Sequence, residues 1–125
     1  MKALPALVVD VVAIVVFAIL GRSTHDEANT LLGVLGTAWP FLVGALLGHA
    51  ICWLVAPLRG DQASWRPGLA VWAGTLLAGL VLRVTSGDTA AWSFVLVAGV
   101  VLALFLLGWR VIFRLVQRTR TDAPV

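Results

Sequence analysis

Residues 3–20 read ALPALVVDVVAIVVFAIL, an apolar run interrupted by one ionisable side chain, Asp10. Three stretches of the same kind follow, over 31–56, 68–84 and 91–113. At a rise of 1.5 Å per residue they give helices of roughly 25–39 Å, long enough to cross a hydrocarbon core of about 30 Å. A lone spanning segment must satisfy its own backbone hydrogen bonds, and barrel strands would alternate polar with apolar residues. The reading is therefore an all-α, integral membrane four-helix bundle.

Composition leads to the same solvent. Hydrophobic residues make up 61% of the chain and charged residues 12%, against roughly half and a quarter in soluble domains. A chain of 125 residues is too short to hide that much apolar surface in a water-soluble core. The expected organisation is a single transmembrane domain over 1–125, ending in a basic cytoplasmic tail at 114–125. Lys2 ahead of an apolar run resembles a signal peptide, but Asp10 breaks the run and no small-residue cleavage site follows Leu20. An uncleaved first helix is expected.

The connections are polar and short. Gly21 and the stretch RSTHDEANT at 22–30 follow the first segment, a proline-bounded loop covers 57–67, and TSGDT at 85–89 follows the third. Pro40 lies inside the second segment, where it has no N–H to donate to the Gly36 carbonyl, so a kink or tilt is expected. Lys2, Arg59, Arg66, Arg110, Arg114, Arg118 and Arg120 fall on one side of the membrane, and Arg22 and Arg83 on the other. The positive-inside bias places both termini in the cytoplasm of a multi-pass cell-membrane protein.

Trp53, Trp72, Trp92 and Trp109 sit near segment ends, where indoles anchor to the interface. Trp39 is about 12 Å deep by helical rise, so its N–H calls for a partner inside the bundle.

Asp10 is the sharpest candidate for function, because an ionisable residue within the bilayer is expensive to keep there. It lies roughly 9 Å from the cytoplasmic end of its helix, and His49 lies roughly 10 Å from the same side on the antiparallel second helix. Both sit on faces of small residues, which let membrane helices approach closely. An Asp10–His49 hydrogen bond is predicted, and such a pair could exchange a proton. Thr75 stands at similar depth on the third helix, with bonding to its own backbone as the plain alternative. A second group, Arg22, His25, Asp26, Glu27, Arg83 and Asp88, gathers at the opposite side. Two guanidiniums converging there could hold an anion or carboxylate bidentately, against a plain alternative of snorkelling and local pairing.

Other classes find little support. The net charge is +3, but the cations are spread over segment ends, unlike a nucleic-acid footprint. Cys52 is the one cysteine and supports neither an intramolecular disulfide nor a thiolate metal cluster. No nucleophile elbow, phosphate loop, zinc-protease motif or paired-cysteine motif occurs. Catalysis therefore has no argument in its favour, and no cofactor or metal is indicated.

Asp10, the stretch Phe17 to His25 (FAILGRSTH), Ala38–Trp39–Pro40–Phe41, the helix over 68–83 and the run from Ser93 ending Gly108–Trp109–Arg110 resemble a prokaryotic family. It is the one catalogued as domain of unknown function 3054. The resemblance implies a small four-helix membrane protein and matches Asp10, Arg22, His25, Trp39, Pro40, Arg83, Trp109 and Arg110 to the family's recurring positions. Two functions are compatible with these residues. One is a small transporter or ligand-binding bundle, with the bilayer as its surroundings, a small-molecule or ion ligand, and a homo-oligomer in view because four helices enclose little space. The other is a non-enzymatic accessory or assembly subunit.

Overall fold

The structure, a computed structural model, describes residues 1–24 and 27–122. The described residues form four helices, α1 Ala3–Thr24, α2 Leu31–Leu54, α3 Trp65–Thr85 and α4 Trp92–Asp122, with a short 3-10 turn at Ala56–Leu58. All four are long and apolar enough to cross a membrane. The protein is an all-helical membrane bundle.

Helix ends follow local chemistry. Thr30 caps α2, its hydroxyl accepting the Gly33 N–H at 3.0 Å, which satisfies one of the free amides of the first turn. α2 runs unbroken through Pro40. α3 begins at Trp65, before Pro67, because a first-turn residue has no intrahelical N–H to lose. α1 passes through Gly21, and α4 continues to Asp122 where a separate tail from 114 was expected. Leu115, Gln117, Arg118 and Arg120 are good helix formers, and cations suit a helix C-terminus.

α2 and α3 pack most closely. A Cβ on Gly44 would come within 2.6 Å of the Gly74 carbonyl oxygen, and one on Gly48 within 2.7 Å of the Val71 Cα. Only glycine permits that approach. α1 packs on α2 and α4 on α3, while α1 and α4 meet over a short length. The shared core is Ile14, Phe41, Val71, Leu102 and Leu106, all fully buried.

Around that core the outer faces are apolar. Leu32, Leu96, Leu104 and Ile112 are exposed, as expected of side chains whose solvent is lipid. Trp53 and Trp92 are the most exposed of the indoles, at 72% and 82%, and are free to reach an interface. Trp72 and Trp39 depart from expectation. The Trp72 indole donates to the Gly99 carbonyl at 3.0 Å, tying α3 to α4. Trp39 was expected inside the bundle, yet it is 40% exposed. Ala38, Phe41, Ala45, Gly48 and Cys52 form the buried face of α2, and Trp39 lies one residue, or about 100°, off that stripe.

Candidate functional site

At the end of the bundle that carries both termini, Asp10 is fully buried and each carboxylate oxygen accepts twice. Oδ1 accepts from Trp109 Nε1 at 2.8 Å and Arg110 Nη1 at 2.8 Å. Oδ2 accepts from His49 Nε2 at 2.7 Å and Arg110 Nη2 at 2.8 Å. Arg110 thus grips Asp10 with both terminal nitrogens, the bidentate geometry in which guanidinium and carboxylate match best. Two lone pairs per oxygen receive two donors per oxygen, so the carboxylate is saturated.

The arginine is equally committed. Its Nε donates to the Gln62 carbonyl at 2.9 Å, and Nη1 also donates to the Leu106 carbonyl at 2.7 Å. Its guanidinium carbon lies 4.5 Å from the Trp109 ring centre. Gly68 makes this possible, since a Cβ there would sit 2.8 Å from Arg110 Cδ. The four side chains Asp10, His49, Trp109 and Arg110 bind α1, α2 and α4 to one another, and Gln62 adds the connection before α3.

That connection closes the end. Gln62 and Ala63 are buried, the Gln62 N–H donates to the Met1 carbonyl at 3.0 Å, and the Met1 ammonium lies 2.7 Å from Asp61 Oδ1. Arg114 reaches Asp61 Oδ2 at 3.2 Å. Partial burial presses the Asp61 carboxyl upward, but the hydrogen bonds from the Met1 ammonium and the Ala63 N–H, with the charges of Met1 and Arg114, hold it below its ordinary value. Thr75 is fully buried and its hydroxyl has no hydrogen-bond partner among the described residues. It stands against Gly44 and makes no hydrogen bond to the Asp10 cluster.

The predicted Asp10–His49 contact is present. Charge bias groups Arg110 with the cytoplasmic-side cations, and position near a segment end makes Trp109 an anchor, yet both lie against Asp10. The usable signal was the spacing Ala98, Leu102, Leu106, Arg110, one helical stripe of which every member is buried. Arg110 continues a core face.

At the other end the bundle opens. A cleft of about 770 Å³ is walled by all four helices, with Arg22, Glu27, Arg83 and Asp88 among its polar residues and Phe17 and Phe94 among its apolar ones. Arg22 is held by the Ala28 carbonyl, 3.1 Å from Nε and 2.6 Å from Nη2, and by the Thr37 hydroxyl, 3.1 Å from Nη1. Glu27 Oε2 lies farther off, at 3.6 Å. Gly33 gives this guanidinium its berth, because a Cβ there would be 2.5 Å from Nη2. Arg83 donates from Nε to the Thr89 carbonyl at 2.8 Å and lies over the Phe94 ring at 4.3 Å, a cation–π contact. His25 and Asp26, expected in this group, lie outside the described residues.

Architecture and site together define a class: a multi-pass helical membrane bundle with a buried ion pair at one end and an arginine-rimmed cleft at the other. The family model described as Protein of unknown function (DUF3054) matches residues 7–113, and the chain belongs to that family. Nothing among curated proteins or solved structures matches the chain.

Proposed function

We propose that this chain, one transmembrane domain over residues 1–125, is a non-enzymatic binding protein of the cell membrane that holds a small ligand in the Arg22–Arg83 cleft. The observation that carries the reading is the contrast in arginine environment. Arg110 is sealed against a saturated carboxylate, while Arg22 and Arg83 line open space.

The intramembrane carboxylate then serves the bundle. A transported cation or proton would need acceptor capacity on Asp10, and its neighbours occupy that capacity. Asp10 and His49 act as parts of a clasp, and Arg22 and Arg83 as ligand contacts. Trp39, exposed on the outer face, has no part in the cleft.

Orientation follows from the basic residues that remain free of the clasp. Lys2, Arg59, Arg66, Arg114, Arg118 and Arg120 cluster at the end bearing the termini, which favours a cytoplasmic location for that end. The cleft then faces the extracytoplasmic side.

Native mass spectrometry of protein extracted from its own membrane tests the reading. The wild-type chain should carry a bound non-protein mass that Gly36→Val, which fills the cleft wall, removes. Identical spectra for the two, or no bound mass on either, would refute it.

A further inference from the structure

The cleft combines three features that together specify a ligand, and the step taken here rests on the binding reading above. First, its polar rim carries both signs: Arg22 and Arg83 with Glu27 and Asp88. A simple anion would meet two carboxylates there. A group carrying one negative and one positive charge would meet complements for both. Arg83 has spent Nε on Thr89, and its terminal nitrogens make no hydrogen bond to any described residue. They form the fork that suits a phosphate.

Second, the wall contains a freed acceptor. Residue 40 is proline and has no N–H, so the Gly36 carbonyl lacks the donor four residues on that a helix would supply. Gly36 lines the cleft, and a Cβ on it would meet nothing within 4 Å. The glycine leaves space, and the proline leaves an oxygen with hydrogen-bonding capacity.

Third, the deeper wall is apolar and continuous with the lipid-facing surface. Phe17 lies roughly 10 Å below the end of α1, and Ala98 roughly 9 Å into α4. Phe17 and Phe94, which line the cleft, each pack against Phe41, at 5.4 Å edge-on and at 6.4 Å. Val97 lines the cleft yet is 59% exposed, so this wall passes sideways onto the outer face of α4. A water-soluble solute has no use for that passage. An acyl chain does.

We infer that the cleft is a phospholipid site for a phosphate–ammonium head group of the phosphoethanolamine type. The phosphate lies on Arg22 and Arg83. The ammonium donates to Glu27, Asp88 or the Gly36 carbonyl, and the acyl chains leave past Phe94 and Val97 into the bilayer. Phosphatidylcholine has the same phosphate but no donor. Phosphatidylglycerol has donors but no positive charge.

The test is delipidated protein titrated with each of these phospholipids and with water-soluble glycerophosphoethanolamine, read by native mass spectrometry. Phosphatidylethanolamine should bind at least about tenfold more tightly than phosphatidylcholine, the scale of one charge-assisted hydrogen bond. Gly36→Val and Arg83→Gln should each lose about tenfold for phosphatidylethanolamine, while Trp109→Phe, at the far end, should keep its binding. Equal binding of the ethanolamine and choline lipids would overturn the head-group assignment, as would stronger binding of phosphatidylglycerol. If glycerophosphoethanolamine binds as tightly as the lipid, the lipid assignment fails and the binding function stands. If no probe binds, the lipid assignment fails, and the binding function is then decided by whether the protein carries a bound mass out of its own membrane.

Discussion

The two ends of this bundle use arginine in opposite ways. At the terminus-bearing end Arg110 is buried, and its donors go to Asp10, Gln62 and Leu106. At the other end Arg22 and Arg83 are fixed to loop carbonyls and still border open space. In both places a guanidinium lies over an aromatic ring, Trp109 for Arg110 and Phe94 for Arg83. What separates the ends is the carboxylate. A carboxylate buried beside the guanidinium and donors on every side convert the first site into a joint. Carboxylates held out on the rim leave the second site able to take a guest.

The largest effect should come from the joint. Asp10→Asn strips the charge from Arg110's buried partner, and breaking a buried ion pair costs about 3–5 kcal/mol. Unfolding in mixed micelles should show a loss of that size. Replacing both members with apolar residues, Asp10→Leu with Arg110→Met, should be less damaging than Asp10→Asn alone. A double variant worse than the single one would mean that leaving His49, Trp109 and the Gln62 carbonyl without their partners outweighs the relief of removing both charges.

Alanine at two glycines sharpens the contrast. Gly44→Ala meets the Gly74 carbonyl at 2.6 Å and the Thr75 Cα at 2.9 Å, both backbone, so α2 and α3 must separate at about 1–3 kcal/mol. For Gly33→Ala the nearest atoms are the tip of Arg22 and the Thr30 hydroxyl that caps α2. Disturbing that cap costs about 1 kcal/mol, which alanine's helix preference over glycine offsets by about as much. The variant's stability should stay within about 0.5 kcal/mol of wild type, while phospholipid binding falls because Arg22 is displaced. Equal destabilisation by the two would show that the cleft end is as tightly packed as the helix seam.

Acid should have the smallest effect, confined to the terminus-bearing end. The Asp61 carboxyl sits below its ordinary value in the folded chain. Its contribution is therefore fully present above the unfolded carboxyl range near pH 4 and is lost as pH falls through the lower folded value. Amide exchange over residues 1–5 and 59–64 should accelerate there in the wild type and show no such step in Asp61→Asn. A step that survives in Asp61→Asn would assign it to another group.

Much of this was legible from the chain. Four apolar runs dictate the helices, because lipid tolerates no other way to satisfy the backbone. The Asp10–His49 contact was legible because depth and face can be counted along two antiparallel helices. Arg110 and Trp109 were not assigned to that site, for two reasons. A membrane helix is apolar all round, so periodicity does not reveal which stripe is buried. And α4 extends to Asp122, which puts Arg110 roughly 18 Å from the helix end, well inside what a span ending near 113 would suggest. Trp39 failed for the related reason that burial in lipid and burial in protein look alike in sequence. The cleft depends on how residues of all four helices come together at that end, which no local pattern records.

The central claim is that one end holds the fold and the other holds the ligand. It is tested most directly by measuring unfolding free energy and phosphatidylethanolamine binding on the same two variants, Trp109→Phe and Arg83→Gln. The account predicts a crossed result. Trp109→Phe should lose about 1.5–3 kcal/mol, the worth of a hydrogen bond to a charged group, with binding intact. Arg83→Gln gives up a solvent-exposed hydrogen bond and a ring contact, so it should lose no more than about 1 kcal/mol and about tenfold in lipid affinity. Parallel behaviour, with both variants losing stability and binding together or neither losing either, would contradict it.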